Sequence, residues 1–192
     1  MKREEKIQLL EAAQVLQRGH FRLTSGRHSD QYMQCARVFE YAKYAEPICK
    51  DIADAFCDEK IDLVVGPAIG GIIITYEVAR QLGVRNIFAE RENGVMTLRR
   101  GFAVEQGTRV LVVEDTITTG GSVKEVIALI QEKGGVVVGV GSVVDRSNGM
   151  VDFGARLHAA VSMEVLSYDE DDCPLCKQGL PITKPGSRTF KK

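Results

Sequence analysis

The sequence predicts an α/β fold in which a parallel sheet is buried between helices. Two observations carry this. Short, wholly apolar runs such as Val110-Leu111-Val112-Val113 recur along the chain, as strands covered on both faces require. Between them lie amphipathic stretches of about 10–15 residues, the length of the helices that connect parallel strands.

The elements follow in order. Residues 4–17 place Ile7, Leu10, Ala13 and Leu16 around a helical period, and Gly19 stops it. Residues 23–30 are polar and hold Gly26, which reads as a loop, and 32–36 form a short candidate strand. A second helix is predicted over 41–59, with Ala45, Ile48, Ile52, Ala55 and Phe56 near one face. Strands are expected at 62–65, 86–89, 109–113 and 136–144, and helices at 72–82 and 123–133. Gly83 and Gly134-Gly135 end those two helices. From about Ser167 the chain turns polar and carries Pro and Gly, as a surface tail does.

Composition narrows the function classes. A chain of 192 residues, 44% hydrophobic and 27% charged, has the profile of one soluble globular domain. Its 25 Lys+Arg against 26 Asp+Glu leave a net charge of −1. Nucleic-acid binders carry a basic excess, so no nucleic-acid partner is expected. No apolar run approaches a signal sequence or a membrane span, and no membrane partner is expected. Five cysteines at irregular spacing fit reduced thiols in the cytoplasm better than a disulfide framework.

The strongest chemical signal runs from Arg109 to Ser122: strand, Glu114-Asp115, the loop Thr116-Ile117-Thr118-Thr119-Gly120-Gly121, then Ser122 opening a helix. Ligands of open parallel sheets bind at the carboxyl ends of strands. A helix N-terminus offers free N–H groups and a positive dipole end to an anion such as phosphate. Gly120 and Gly121 let the backbone wrap that anion closely, and Thr118, Thr119 and Ser122 add hydroxyls. The two carboxylates suit ribose hydroxyls or a divalent cation. Together they fit a ribose 5-phosphate. An ordinary βα turn with a Thr/Ser cap is the alternative, and two acids directly after Val112-Val113 weigh against it.

The segment 112–122 resembles the phosphoribosyl-diphosphate signature of the type I phosphoribosyltransferases. Three others narrow the resemblance to the orotate phosphoribosyltransferase family, over roughly residues 5–165. Residues 21–29, followed by Tyr32, resemble its substrate-covering N-terminal segment. Gly66-Pro67-Ala68-Ile69-Gly70-Gly71 resembles its pyrophosphate loop. Asp145-Arg146 resembles the site of its orotate-binding arginine.

The resemblance implies a Rossmann-like open parallel sheet of about five strands flanked by helices, with a small N-terminal hood. One domain over 1–192 would divide into an N-terminal helix and hood segment (1–40), an α/β core (41–166) and a tail (167–192). The implied reaction is transfer of phosphoribosyl from phosphoribosyl diphosphate to orotate, giving orotidine 5'-monophosphate and pyrophosphate in pyrimidine biosynthesis. Implied catalytic residues are Asp115, Glu114 and Arg91. Residues 114–122 would bind phosphoribosyl diphosphate; Ile69, Gly70, Gly71 and Arg91 the pyrophosphate; Thr118 and Arg146 the orotate. The cofactor would be Mg²⁺, held mainly by substrate rather than by protein side chains, and the assembly a homodimer with shared sites.

The chain departs from the family pattern in its closing loop. Arg91 matches the leading arginine, but no lysine or histidine follows before Gly107, and Arg99-Arg100 are the cations there. They either substitute for the missing cations or mark the charged edge of an exposed β-hairpin. Ile69 and Thr24 stand where many members carry lysine. Cys173-Pro174-Leu175-Cys176 has half of a zinc-site spacing, but His20, His28, His158 and the other cysteines show no matching interval. The pair therefore reads as a structural or incidental turn. His28-Ser29-Asp30 matches a catalytic triad in composition only, and Gly139-Val140-Gly141 lacks the third glycine of a dinucleotide fingerprint.

Two other functions compete. A purine phosphoribosyltransferase would use the same loop, but a purine has no carboxylate for Arg146 to grip. A non-catalytic sensor of phosphoribosyl diphosphate that binds nucleic acid would need a basic face or an added module, against the net charge and the length.

Overall fold

The computed structural model describes residues 1–23, 25–164 and 166–185. Thr24 therefore lies outside the described residues. The core is a six-stranded sheet in the order β5-β4-β3-β6-β7-β8. These strands are β3 (Leu63–Pro67), β4 (Arg85–Glu92), β5 (Val95–Thr97), β6 (Arg109–Ile117), β7 (Val136–Asp145) and β8 (Arg156–Ser162). Five are parallel, as expected, and the short β5 adds antiparallel to β4 at one edge. Strand β8 has no counterpart in the sequence reading. Arg156 and His158 break its apolar run, because an edge strand need bury only part of each face.

The apolar strands work by alternation. Leu111 and Val113 on β6 face α1 (Arg3–Ala12), α2 (Ala42–Ala55) and α3 (Gly71–Leu82), packing with Leu10, Ile48, Ile52 and Ile74. Val110 and Val112 face α4 (Gly121–Glu132), packing with Val123, Val126 and Ile130. All four β6 residues are inaccessible to solvent. At roughly 1.5–3 kcal/mol per buried Val or Leu side chain, this two-sided burial is the main force holding the sheet.

The N-terminal third differs from the sequence reading. The first helix ends at Ala12 rather than 17, and Gln14 turns the chain with φ 54°. Leu16 belongs to the next element, the strand β1 (Leu16–Arg22), which pairs antiparallel with β2 (His28–Met33). The apolar period of the helix therefore ran on into a strand. Residues 28–30, read as loop, are paired strand, and 35–36, read as strand, start a short 3-10 helix over Cys35–Glu40. Cross-strand pairing overrode weak local preference here.

The tail is docked rather than free. Tyr168 and His28 exchange backbone hydrogen bonds of 2.8 Å, and Thr183 does the same with His20 and Arg22 at 2.7 and 2.9 Å. Arg27 Nε donates to Ser167 Oγ at 2.9 Å, and Ser29 Oγ donates to the Leu166 carbonyl at 2.7 Å. Cys173, just before the short helix α5 (Pro174–Lys177), is fully buried. Among the described residues, no helix is long and apolar enough to cross a membrane.

Candidate active site

The strand order reverses between β3 and β6, and a crevice opens at the carboxyl end of such a switch point. A cleft of about 430 Å³ lies there, lined by Pro67–Gly70 after β3 and by Glu114–Val123 from β6 into α4. The structure thus gathers nearly all of the residues that the sequence nominates: Ile69 and Gly70 on one wall, Glu114, Asp115, Thr116, Ile117, Thr118, Thr119, Gly120, Gly121 and Ser122 on the other. Gly71 is buried at the first turn of α3.

Strand β6 runs four residues further than its apolar stretch suggests. Glu114, Thr116 and Ile117 still pair with Ser142, Val144 and Asp145 of β7. The acids are therefore fixed by the sheet itself rather than by a loop. Glu114 is buried and Asp115 half-buried, and Glu114 Oε1 accepts the Asp115 backbone N–H at 3.0 Å. Burial pushes both carboxyls above their ordinary values, and Glu114 is raised further by the adjacent Asp115 charge. A pair of acids in that state is a place for positive charge or hydroxyl donors. Hard carboxylate oxygens facing a polar cleft also fit Mg²⁺, which binds few protein ligands and keeps waters and substrate phosphates.

Two glycines are required by geometry. Gly120 adopts φ +72°, and a Cβ there would stand 2.6 Å from Val151 Cγ1. At Gly70 a Cβ would come within 3.1–3.2 Å of the Asp115 carboxylate, so glycine lets the two walls close on each other. The exposed Thr118 and Thr119 stand beside the N-terminus of α4, where a helix's unpaired N–H groups can receive an anion. The Ile69 side chain is 86% exposed, so its wall offers backbone rather than a charge.

Arg146 follows β7 and is held beside the loop by its N–H, which donates to the Ile117 carbonyl at 2.8 Å. Its Nε is buried without a hydrogen-bond partner among the described residues. Burial lowers its pKa, with Cys35 and Tyr32 close enough to act in the opposite direction. A guanidinium in a protein stays charged regardless, so this cation keeps a buried N–H without a partner among the described residues. Cys35, not nominated from sequence, lies within hydrogen-bonding reach of Thr116. Burial pushes its thiol up to about 12, so it stays protonated. No sequence signal distinguished it from the other buried cysteines.

Arg91 is placed elsewhere. Its guanidinium pairs with Glu125 on the exposed side of α4 at 2.6 Å and donates to the Gly94 carbonyl at 3.1 Å, outside the cleft of its own chain. Arg99 and Arg100 pair with Glu92 and Glu90 at 3.2 and 3.0 Å on the β4–β5 hairpin, the charged-edge alternative. His28, Ser29 and Asp30 form no triad: Ser29 bonds to Leu166, and His28 turns toward His20 and Cys176. The cysteine pair, left without histidine partners in the sequence reading, thus finds two of them in the fold.

A phosphoribosyl transferase domain model matches residues 34–152 of the chain, most of the α/β core. Curated relatives match almost end to end. The orotate phosphoribosyltransferase of Pelotomaculum thermopropionicum is 57% identical over 98% of this chain and 99% of its own. That of Caldanaerobacter subterraneus subsp. tengcongensis is 54% identical over the same shares. Among solved structures, orotate phosphoribosyltransferase from Aeropyrum pernix superposes with a TM-score of 0.69 at 23% identity, covering 81% of this chain and 92% of its own, a likeness of fold.

Proposed function

The chain belongs to the phosphoribosyl transferase family, and from that premise we propose that it transfers the phosphoribosyl group of phosphoribosyl diphosphate to orotate. Orotidine 5'-monophosphate and pyrophosphate are the products, a step of pyrimidine biosynthesis. The observation that carries this reading is the juxtaposition of the Glu114-Asp115 pair and the N-terminal end of α4 with Arg146, a half-buried cation whose buried Nε has no hydrogen-bond partner among the described residues.

The 5'-phosphate sits in the loop 118–122, receiving backbone N–H groups at the helix N-terminus and the hydroxyls of Thr118, Thr119 and Ser122. Glu114 and Asp115 accept the ribose hydroxyls and orient the ring. In the reaction the C1–oxygen bond to pyrophosphate breaks, the leaving group keeps the electron pair, and orotate N1 bonds to C1. Positive charge grows on the ribose as this happens, and the acid pair, whose ionised form that charge favours, stabilises it. The pyrophosphate lies along residues 69–71, whose backbone N–H groups face its charge. Arg146 grips the orotate carboxylate, with the Thr118 hydroxyl as a second base contact. Mg²⁺, when bound with the substrate, neutralises pyrophosphate charge.

Arg91 is out of reach of its own cleft, and in a homodimer the β4–β5 hairpin carries it toward the neighbour's. Ile73 and Tyr76, three residues apart on α3, are more than half exposed and suit such a subunit contact. The same reading places the protein in the cytoplasm.

The test is loss of orotate absorbance with phosphoribosyl diphosphate and Mg²⁺, run beside adenine, hypoxanthine and uracil. Turnover of orotate alone is expected. Turnover of a purine instead, or of no base while phosphoribosyl diphosphate still binds, would overturn the assignment.

A further inference from the structure

Outside the lining of the cleft, four nitrogen and sulfur donors from the two ends of the chain converge. His20 lies on β1 and His28 on β2, while Cys173 and Cys176 stand just before and within α5. Their ligand atoms all lie within 4.8 Å of one another. His20 Nε2 is 3.1 Å from His28 Nδ1, 3.6 Å from Cys173 Sγ and 3.7 Å from Cys176 Sγ. Cys176 Sγ is 3.2 Å from His28 Nδ1. A tetrahedron built on Zn–N of about 2.0–2.1 Å and Zn–S of about 2.3 Å has edges of about 3.3–3.8 Å. These four separations match those edges to within a few tenths of an ångström, and the other two lie within 4.8 Å.

Hydrogen bonding alone accounts poorly for the cluster. His20 Nδ1 stands 2.8 Å from the Leu180 carbonyl, which can only accept, so Nδ1 carries the proton. In the neutral ring, Nε2 is then left with a lone pair aimed into the cluster. A metal-ligating histidine is held this way, its other nitrogen donating to a carbonyl. His28 Nε2 is buried and has no hydrogen-bond partner among the described residues, so the only polar contacts of that ring are the inward ones of Nδ1. Both cysteines are free thiols, and Cys173 is wholly buried beside the two buried imidazoles.

We propose that His20, His28, Cys173 and Cys176 form a structural zinc site that fastens the C-terminal segment onto the β1–β2 hairpin. Two imidazoles and two thiolates in a tetrahedron are the donor set zinc takes in closed sites. With four protein ligands no position is left for a substrate. The site joins residues about 150 positions apart and reinforces the bridges at Tyr168 and Thr183. The β2 strand that carries His28 also carries Tyr32, which borders Arg146, so the ion holds the hood in place over the base side of the cleft.

The experiment is elemental analysis of the full-length protein purified under reducing conditions without chelator. About one zinc per chain is expected. A Cys173→Ser/Cys176→Ser variant should retain less than a tenth of that, and Cys57→Ser, at an exposed cysteine outside the cluster, should keep it all. Stripping the wild-type protein with a chelator should lower Tm by about 5 °C or more and open the segment after Leu166 to protease. Adding Co²⁺ to the stripped protein should then produce the intense absorption of a tetrahedral thiolate site, a readout that does not depend on a variant folding. Wild-type protein with less than a tenth of an equivalent of zinc and no thiolate–cobalt absorption would overturn the proposal. So would equal zinc in the double-serine variant, or a Cys173–Cys176 disulfide in freshly purified protein.

Discussion

The cleft and the hood–tail cluster are built in opposite ways. The cleft takes most of its polar groups from one unbroken run, Glu114–Ser122, in which each residue's place follows from its neighbours: strand, turn, helix start. The cluster takes its four donors from a hairpin and a helix separated by more than 140 residues, and nothing local announces it. A contiguous site can be read as a motif because the backbone geometry between its members is fixed by their spacing. A site assembled at long range exists only once β1, β2 and the tail have packed.

Substitutions can probe that contrast, beginning with the largest effect. Asp115→Asn should cut kcat with orotate by about 10²-fold or more, the scale of lost transition-state electrostatics, while far-UV circular dichroism and zinc content stay unchanged. Near-wild-type turnover would remove the acid pair from the chemistry. Arg146→Ala deletes a charge-assisted contact of about 1.5–3 kcal/mol, so the KM for orotate should rise by about 10–100-fold. The KM for phosphoribosyl diphosphate should move little, and equal rises in both would take Arg146 out of the base pocket.

Two glycines sharpen the comparison. Gly120 and Gly179 have similar left-handed backbones, φ +72° and +68°, but a Cβ at Gly120 meets Val151 and Phe153 whereas one at Gly179 meets nothing within 4 Å. Each Ala substitution carries a backbone cost of about 1–2 kcal/mol, and Gly120→Ala adds the clash. Denaturant unfolding should therefore show Gly120→Ala as clearly the less stable of the two. Similar midpoints would mean that the cleft loop yields more easily than its packing indicates.

The smallest effect lies in the pH dependence of stability. Glu114 is held above its ordinary value, so the unfolded chain releases this proton first as pH rises. The associated stability is present below about 4.3 and is lost above it, toward the raised folded value. Glu114→Gln should flatten the fall of Tm over that range in the ligand-free protein. Asp51 has the opposite sign. Burial alone would raise it, but Lys6 Nζ and His158 Nε2, at 2.5 and 2.9 Å, hold it below its ordinary value. Its contribution is present above about 3.9 and lost as pH falls. Asp51→Asn should therefore flatten the acid limb instead, and a change on the alkaline side would contradict the ion-pair assignment.

The sequence by itself determined four of the five parallel strands and the helices between them, because two-sided burial forces a run of apolar residues that only a covered strand needs. It also determined the acid pair and the glycine- and threonine-rich loop that line the cleft, whose chemistry and geometry are contiguous. Tertiary structure alone decided the rest. Pairing of β1 with β2 turned a polar stretch and the end of a helical pattern into a hairpin. The sheet edge admitted β8 despite its charged residues. The β4–β5 pairing left Arg91 outside its own cleft, beside Glu125, and docking of the tail brought Cys173 and Cys176 to His20 and His28. In each of these cases the deciding contact joins two separate elements, and its free energy belongs to a pair of surfaces that neither segment encodes alone.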